Sequence, residues 1–371
     1  MESATMRKNP VLILLLFGSF FSCGKNETNS ARIASNGYEG FGSITTGGDG
    51  KTIIHVTNLN ASGPGSLYEA MGSNRTIVFD VSGTIDNFQW DSSNEFPVAN
   101  LTIDGSTAPS PGITLDNENS ANCFSFQDGC HDIIVKNIRV RNAGNDGLNV
   151  VNGHDMVFDH ISVSGSGDGN FDITAGAYNI TVQNSIIGGG QPTWSGAMLI
   201  AYDGTRNISI HHNLFISRIA AGVGERNPLV HCADNPSTTN LMVDFRNNLV
   251  WNWGANDGTG YGYGSAVDYG GTANLVNNFY QTTGVMIDNP IEFNHNNANA
   301  RGYVSGNISG NAGINPNGIS NHAEWTIPEW ASITPQTACD AATTVLSTAG
   351  CLPLDPTDKL LISQVSLTKC R

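Results

Sequence analysis

One pattern recurs seven times along this chain of 371 residues. The segments are NLTIDGS from Asn100, DIIVKNIRV from Asp132, DMVFDHISV from Asp155, NITVQNSII from Asn179, NISIHHNLF from Asn207, MVDFRNNLV from Met242 and TANLVNNFY from Thr272. Each is a short alternating apolar run, a small or polar residue at the sixth place, then further, mostly apolar residues. Their starts lie 32, 23, 24, 28, 35 and 30 residues apart. Self-similarity at such a period marks a solenoid, and strand-rich repeats mark a parallel β-helix. A single coil of about two dozen residues cannot bury its apolar side alone, whereas stacked coils bury a continuous core. The sixth places are Gly105, Asn137, His160, Asn184, His212, Asn247 and Asn277. Asparagine suits a corner there: it tolerates left-handed backbone, and its amide can bond the amide of the next coil. At the same places, His160 and His212 read as corner residues rather than catalysts. Longer gaps are coils with loops let out of them, where a groove can be built.

The expected fold class is all-β: a right-handed parallel β-helix over residues 37–314. Ser66-Leu67-Tyr68-Glu69 is a capping box opening a short helix, Ser66 to Met71, able to cover the open N-terminal end. Residues 315–371 have weaker periodicity, more prolines and three cysteines, and read as an arm wrapping back along the solenoid. The 43 glycines and the low charged fraction, 13%, agree with many turns and few long helices.

The stretch GDGNFDIT, from Gly167, puts Asp168 and Asp172 four residues apart, on one side of a strand. Counting back 22 residues from Asp168, about one coil, reaches Asp146. Three carboxylates with no nearby Lys or Arg suit a hard, oxygen-seeking cation, above all Ca²⁺. The alternative is a set of turn aspartates solvated separately. No EF-hand loop is present, so a calcium site would be assembled across coils.

Arg7 and Lys8, the apolar run from Val11 to Phe21, and Ser22-Cys23 read as a signal peptide over residues 1–22. The small residue before Cys23 resembles a bacterial lipobox. In that reading Cys23 carries lipid, residues 23–36 are a polar tether, and the membrane is touched only through that anchor. An ordinary secretory cleavage nearby is the alternative. Removing residues 1–22 takes away Arg7, Lys8 and Glu2, so 17 basic and 32 acidic residues become 15 and 31. Such acidity argues against a nucleic-acid partner, and handling an acidic polymer would need a cation in between. Six cysteines remain after Cys23, which in an exported chain suggests disulfides. Cys123/Cys130 and Cys339/Cys351 are the natural local pairs, leaving Cys232 with Cys370.

Several stretches now acquire a common meaning. GGDGKTIIHVTNLNASGPGSLYEAM, RTIVFDVSGTI, DGLNV, VFDH, DGNFDI, ISIHHNLF and RNP occur in the order found in pectate lyases of polysaccharide lyase family one. The resemblance runs from about Phe41 to Tyr280, and more weakly to the C-terminus, and is to the bacterial branch often anchored as a lipoprotein. It implies that Asp168 and Asp172 bind calcium, with Asp146 as a further ligand. An extra acidic ligand of some members is absent, since Gly144 stands there. The pair Asp159-His160 is implied to be structural. The family signature Arg-x-Pro-x-x-Arg reads Arg226-Asn227-Pro228-Leu229-Val230-His231. Arg226 is thereby implied to be the Brønsted base, with His231 in place of the second arginine. Arg218, in an added loop, is a competing basic residue and a substrate contact. The family's substrate-gripping lysine matches Gly196, 24 residues beyond Asp172. Trp194, Trp251, Trp253, Tyr261 and Tyr263 are candidates for sugar-stacking surfaces, although Trp251 and Trp253 alternate on a strand, so at least one belongs in the core.

The activity implied is Ca-assisted β-elimination on an acidic, uronate-containing polysaccharide, by an exported, monomeric enzyme. An arginine base needs help, because its pKa exceeds ~12. Nearby positive charge and desolvation would have to favour the neutral form. Two other readings stand beside it. A β-helical glycoside hydrolase would need paired carboxylates as acid and base and would leave the RNP motif unexplained. A non-catalytic glycan binder would fit the lost lysine and the changed arginine.

Overall fold

A computed structural model describes residues 37–118, 121–190, 196–216, 223–232, 240–255, 263–283, 290–293, 299–367 and 369–370. The expected signal peptide and tether, and the candidates Trp194, Arg218 and Tyr261, lie outside the described residues. Among the described residues, nearly all strands fall into three parallel sheets of ten, nine and eight. This is a parallel β-helix. One coil runs through a strand of the first sheet (His154–Asp159), a sharp corner, a strand of the second (Ser162–Ser164), a loop, and a strand of the third (Phe171–Thr174). The seven repeats are seven successive strands of the first sheet, Ala99–Asp104 through Thr272–Val276. Thr52–Val56, Arg75–Phe79 and Arg301–Ser305 extend it at both ends.

Inward-facing residues of all three sheets form one core. Phe88, Phe124, Phe126, Phe158 and Phe171 pack there as successive rings with centroids 4.7–6.1 Å apart. The capping helix is Leu67–Ala70. The Ser66 hydroxyl accepts from the Glu69 N–H at 3.2 Å, and Leu67 and Ala70 are buried in the same core. A hydrophobic plug over the end coil is what an open solenoid requires.

The corners are left-handed at Asn137, His160, Asn184, His212, Asn247 and Asn277, with φ between 50° and 57°. Gly105 differs, opening a 3₁₀ turn over Gly105–Thr107. The amide ladder expected at the corner runs instead one residue later. Asn213 donates to Asn248 at 3.2 Å, Asn248 to Asn278 at 3.1 Å, Asn278 to Asn307 at 3.0 Å, and Asn307 to Asn317 at 3.1 Å. The left-handed residue makes the turn, and the next side chain is the one directed into the stack, where a buried amide must find a partner. His160 bonds Asp159 at 2.9 Å, and His212 bonds His211 at 2.8 Å and Gln336 at 3.2 Å, as corner residues should.

The C-terminal segment lies along the outside. Helix Ala338–Thr348 packs Ala338, Ala342 and Val345 on Ile186, Leu214, Leu249 and Phe279 of the second sheet. Helix Pro356–Ser363 brings Asp358, with Asp355 at its N-cap, to Arg141 at 2.9 and 3.1 Å. The expected cysteine pairing is corrected here. The disulfide joins Cys339 to Cys370, while Cys123, Cys130, Cys232 and Cys351 are buried thiols. Cys123 and Cys130 serve different walls of the core: the Cys123 thiol donates to the Phe88 carbonyl, and the Cys130 sulfur accepts from the Val98 N–H. Neighbours in sequence around a coil need not be neighbours in space. Among the described residues, no helix is long and apolar enough to cross a membrane.

Candidate active site

Those expected site residues that are described, Asp146, Asp168, Asp172, Arg226 and His231, gather on the outer face of the third sheet. Its strands there are Leu148–Val151, Phe171–Thr174, Leu199–Ala201, Leu229–His231 and Ser265–Asp268. Register decides which side chains align. Leu148 pairs with Phe171, a step of 23, so Asn149 lies beside Asp172, and Asp146 sits level with Gly169 rather than with Asp168. The next step is 27: Gly169 bridges Gly196 and Ile173 pairs with Ile200. Gly196 therefore follows Gly169, not Asp172, because this coil has let out extra residues. Leu199 pairs with Leu229, which sets Arg226 level with Gly196. One row across the coils thus reads Asp146, Gly169, Gly196, Arg226.

The two glycines form a floor between a carboxylate and a guanidinium. A Cβ on Gly169 would meet the Asp172 carboxylate at 2.3 Å, and one on Gly196 would meet the Arg226 Cδ at 2.6 Å. Arg226 thus lies back across Gly196 toward the aspartates. Its Nη1 stands 3.6 Å from Asp168 Oδ1. Its backbone is left-handed, φ 57°, an uncommon state for a long side chain. A lysine at 196 would occupy the space that the Arg226 stem fills.

The aspartates are unlike one another. Asp172 is buried and accepts from the Leu199 N–H at 2.9 Å. Burial, then the charge of Asp146, holds its carboxyl well above the usual range, against the pull of that N–H and of Arg226. Asp146 accepts from the Gly169 N–H at 3.0 Å and from the Asn149 amide at 3.2 Å. Burial raises its pKa too, with the Asp168 charge adding to the effect. Asp168 is nearly half exposed, yet its Oδ1 is buried and makes no hydrogen bond. The buried Oδ1 of Asn149 makes none either. Sequence reading passed over Asn149; the signal was the 23-residue register, which puts it beside Asp172.

These donors fit a hard cation: all are oxygens, two are buried without a hydrogen-bond partner, and three carboxylates face one arginine. As they stand they are not drawn into a cage. Among the described residues, no three His, Cys, Asp or Glu side chains converge tightly enough to hold an ion.

His231 is on the same face, five residues beyond Arg226. Its ring lies 4.4 Å from that of Tyr269, and 6.4 Å, edge to face, from that of Tyr202. Neither tyrosine was foreseen. Of the foreseen aromatics, Trp251, Trp253 and Tyr263 are all buried, so none of the three offers a stacking surface. Trp251 packs under the arm and Trp253 in the main core.

No family model matches the chain. A probable pectate lyase C of Aspergillus flavus is 32% identical over 380 residues, covering 97% of this chain and 82% of that protein. The chain belongs to the pectate lyase family. A probable pectate lyase C of Aspergillus fumigatus is 37% identical over 288 residues, 75% of this chain. The match spans 60% of that relative's length. Solved structures agree on the fold. The major allergen of cedar pollen superposes with a TM-score of 0.60 at 16% identity, covering 84% of this chain and 92% of that one. A Bacillus subtilis pectate lyase mutant superposes with a TM-score of 0.57 at 17% identity, over 85% and 97%. The pectate lyase fold of this chain is the right-handed parallel β-helix.

Proposed function

We propose that the protein is a polysaccharide lyase that cleaves a uronate-containing, pectate-like polymer by β-elimination. One observation carries the reading. Arg226, in the family's Arg-x-Pro position, is held in left-handed backbone across Gly196, with its guanidinium beside Asp168 and the raised carboxyls of Asp146 and Asp172. A Bacillus pectate lyase, 19% identical with a TM-score of 0.55 over 85% of this chain and 98% of that one, was solved with trigalacturonate, which supports the substrate class.

In this reading Arg226 takes the C5 proton of a uronate unit. The C5–H electrons form the C4–C5 double bond, and the C4–O bond breaks, so the sugar on that side departs with the oxygen. Asp146, Asp168 and Asp172, with Asn149, would hold Ca²⁺, which when bound neutralises the uronate carboxylate and the charge developing next to C5. Asp168 orients the guanidinium, and the lack of side chains at Gly169 and Gly196 leaves room for the Asp172 carboxylate and the Arg226 stem. His231 contacts the polymer further along. Arg218 and Trp194 are further proposed contacts, from sequence alone. Export belongs to the same proposal, with lipid on Cys23 as the tether; mass spectrometry of the mature N-terminus tests it.

The test of the activity is ultraviolet absorbance of the unsaturated product on polygalacturonate and other uronans, with Ca²⁺ and with chelator. The expected result is absorbance that grows with Ca²⁺ and is lost in Arg226→Ala. New reducing ends without absorbance would mean hydrolysis and overturn the reading.

A further inference from the structure

After each third-sheet strand the chain turns, and the turning residue is left-handed in four coils: Asn152 at φ 53°, Ala175 at 55°, Tyr202 at 72° and Tyr269 at 46°. Asparagine tolerates that backbone, and a bulky aromatic side chain is a marked exception to it. Two of the four places nevertheless carry tyrosine, and they flank one residue. Ala201, His231 and Asp268 are consecutive in register, so Tyr202 and Tyr269 leave the coils on either side of the His231 coil. The backbone is not what selects tyrosine there, since Asn152 makes the same turn. Nor does packing select it at 202: Tyr202 is 51% exposed, and Phe96 is the only other exposed large apolar aromatic residue among those described. Ring placement is the remaining reason.

We infer that Tyr202 and Tyr269, closing on His231, form a sugar platform that binds a second unit of the substrate chain, away from the unit at Arg226. The platform rests on the lyase reading above. Arg226 turns into the strand Leu229–His231 from its start and His231 ends that strand, so the platform lies further along the strand than Arg226. An aromatic face takes the C–H face of a pyranose, and its hydroxyl can meet the sugar's polar edge. The imidazole between the rings offers a hydrogen-bonding group for a uronate carboxylate. This supplies, at a distance, grip that Gly196 cannot.

The test replaces Tyr202 and Tyr269 by Asn, singly and together, with Tyr202→Phe as the conservative variant. Binding of an oligogalacturonate by calorimetry, KM and kcat on polygalacturonate, and thermal midpoint are measured. Each Asn variant is expected to weaken binding and raise KM roughly fivefold, an aromatic contact's worth. The kcat should change little and the thermal midpoint should hold or rise, because Asn relieves the strained turn. Tyr202→Phe should keep most of the affinity. Unchanged binding and KM in the double Asn variant, with wild-type cleavage intact, would overturn the platform and leave the lyase reading standing. Lower thermal midpoints in step with the lost affinity would overturn it as well, by making the rings structural. A wild type that neither cleaves nor binds any uronan would overturn both.

Discussion

Two of the solenoid's arginine–aspartate clusters are built on opposite principles. Under the C-terminal arm, Arg139 and Arg141 meet Asp355 and Asp358. Charges match two to two, and Arg141 makes contacts of 2.9 and 3.1 Å. Further arginine N–H groups go to carbonyls, Arg139 to Pro111 at 3.1 Å and to Cys351 at 3.2 Å, and Arg141 to Ser162 at 2.9 Å, while Arg139 Nε, Arg141 Nε and Asp358 Oδ2 are buried without a hydrogen-bond partner. On the third sheet one arginine faces three aspartates, and its approach to Asp168 is 3.6 Å. The first cluster is closed and holds the chain's own arm in place. The second carries an excess of negative charge, which is what a site needs if a cation supplies the balance.

Four measurements would break or sharpen that contrast. The largest effect expected is on turnover. Arg226→Ala should lose on the order of 10²–10⁴ in kcat, the range for removing a proton-transfer group, while circular dichroism stays native. A loss under tenfold would put the base elsewhere. Next, Arg141→Ala should destabilise by about 3–5 kcal/mol in denaturant unfolding, since it removes the arginine hydrogen-bonded to the buried Asp358 carboxylate and leaves only Arg139, at 3.8 Å. The double change Arg141→Met with Asp358→Leu should cost less. If the single variant costs under about 1 kcal/mol, the arm cluster is not the closed one of the pair.

Third, Ca²⁺ at a hundredfold over its Kd should stabilise the wild type by about 2.7 kcal/mol. The gain should shrink in Asp168→Asn and in Asp172→Asn but survive in Arg141→Met/Asp358→Leu. An equal gain in all variants would move the cation away from the third sheet. The smallest effect concerns acid. His211 is buried and its pKa is lowered from 6.5 to about 3, first by burial and then by His212, whose pKa is lowered as well. The unfolded chain therefore takes up a proton below about pH 6.5 that the folded His211 refuses. His211 contributes stability fully above that pH and loses it as pH falls toward 3, at no more than roughly 1.4 kcal/mol per pH unit. His211→Gln should flatten that slope, and an unaltered slope would exclude the imidazole as its cause.

The parts of this molecule differ in how far they could be read from residues. The repeat was legible because alternation and corner residues are local, and each coil restates them. The capping helix was legible for the same reason, through Ser66 and Glu69. Asp146, Asp168 and Asp172 were legible as neighbours from spacing, and Arg226 joined them only through the family resemblance. Their alignment was not. Steps of 23 and 27 residues depend on how many residues each loop lets out, and no local signal counts them. Asn149, Tyr202 and Tyr269 were missed for that reason. The cysteine pairs failed on a related point: sequence distance along a coil says little about distance across the core.

What the sequence by itself determined, then, is the solenoid, its repeat and the types of group presented on one face, because these follow from period and composition within each coil. The tertiary structure alone decided that Arg226 lies over Gly196, that Asn149 stands beside Asp172, that two tyrosines enclose His231 and that Cys339 finds Cys370. Each of those depends on the register between coils and on the path of the arm, which stacking energy over the whole core sets.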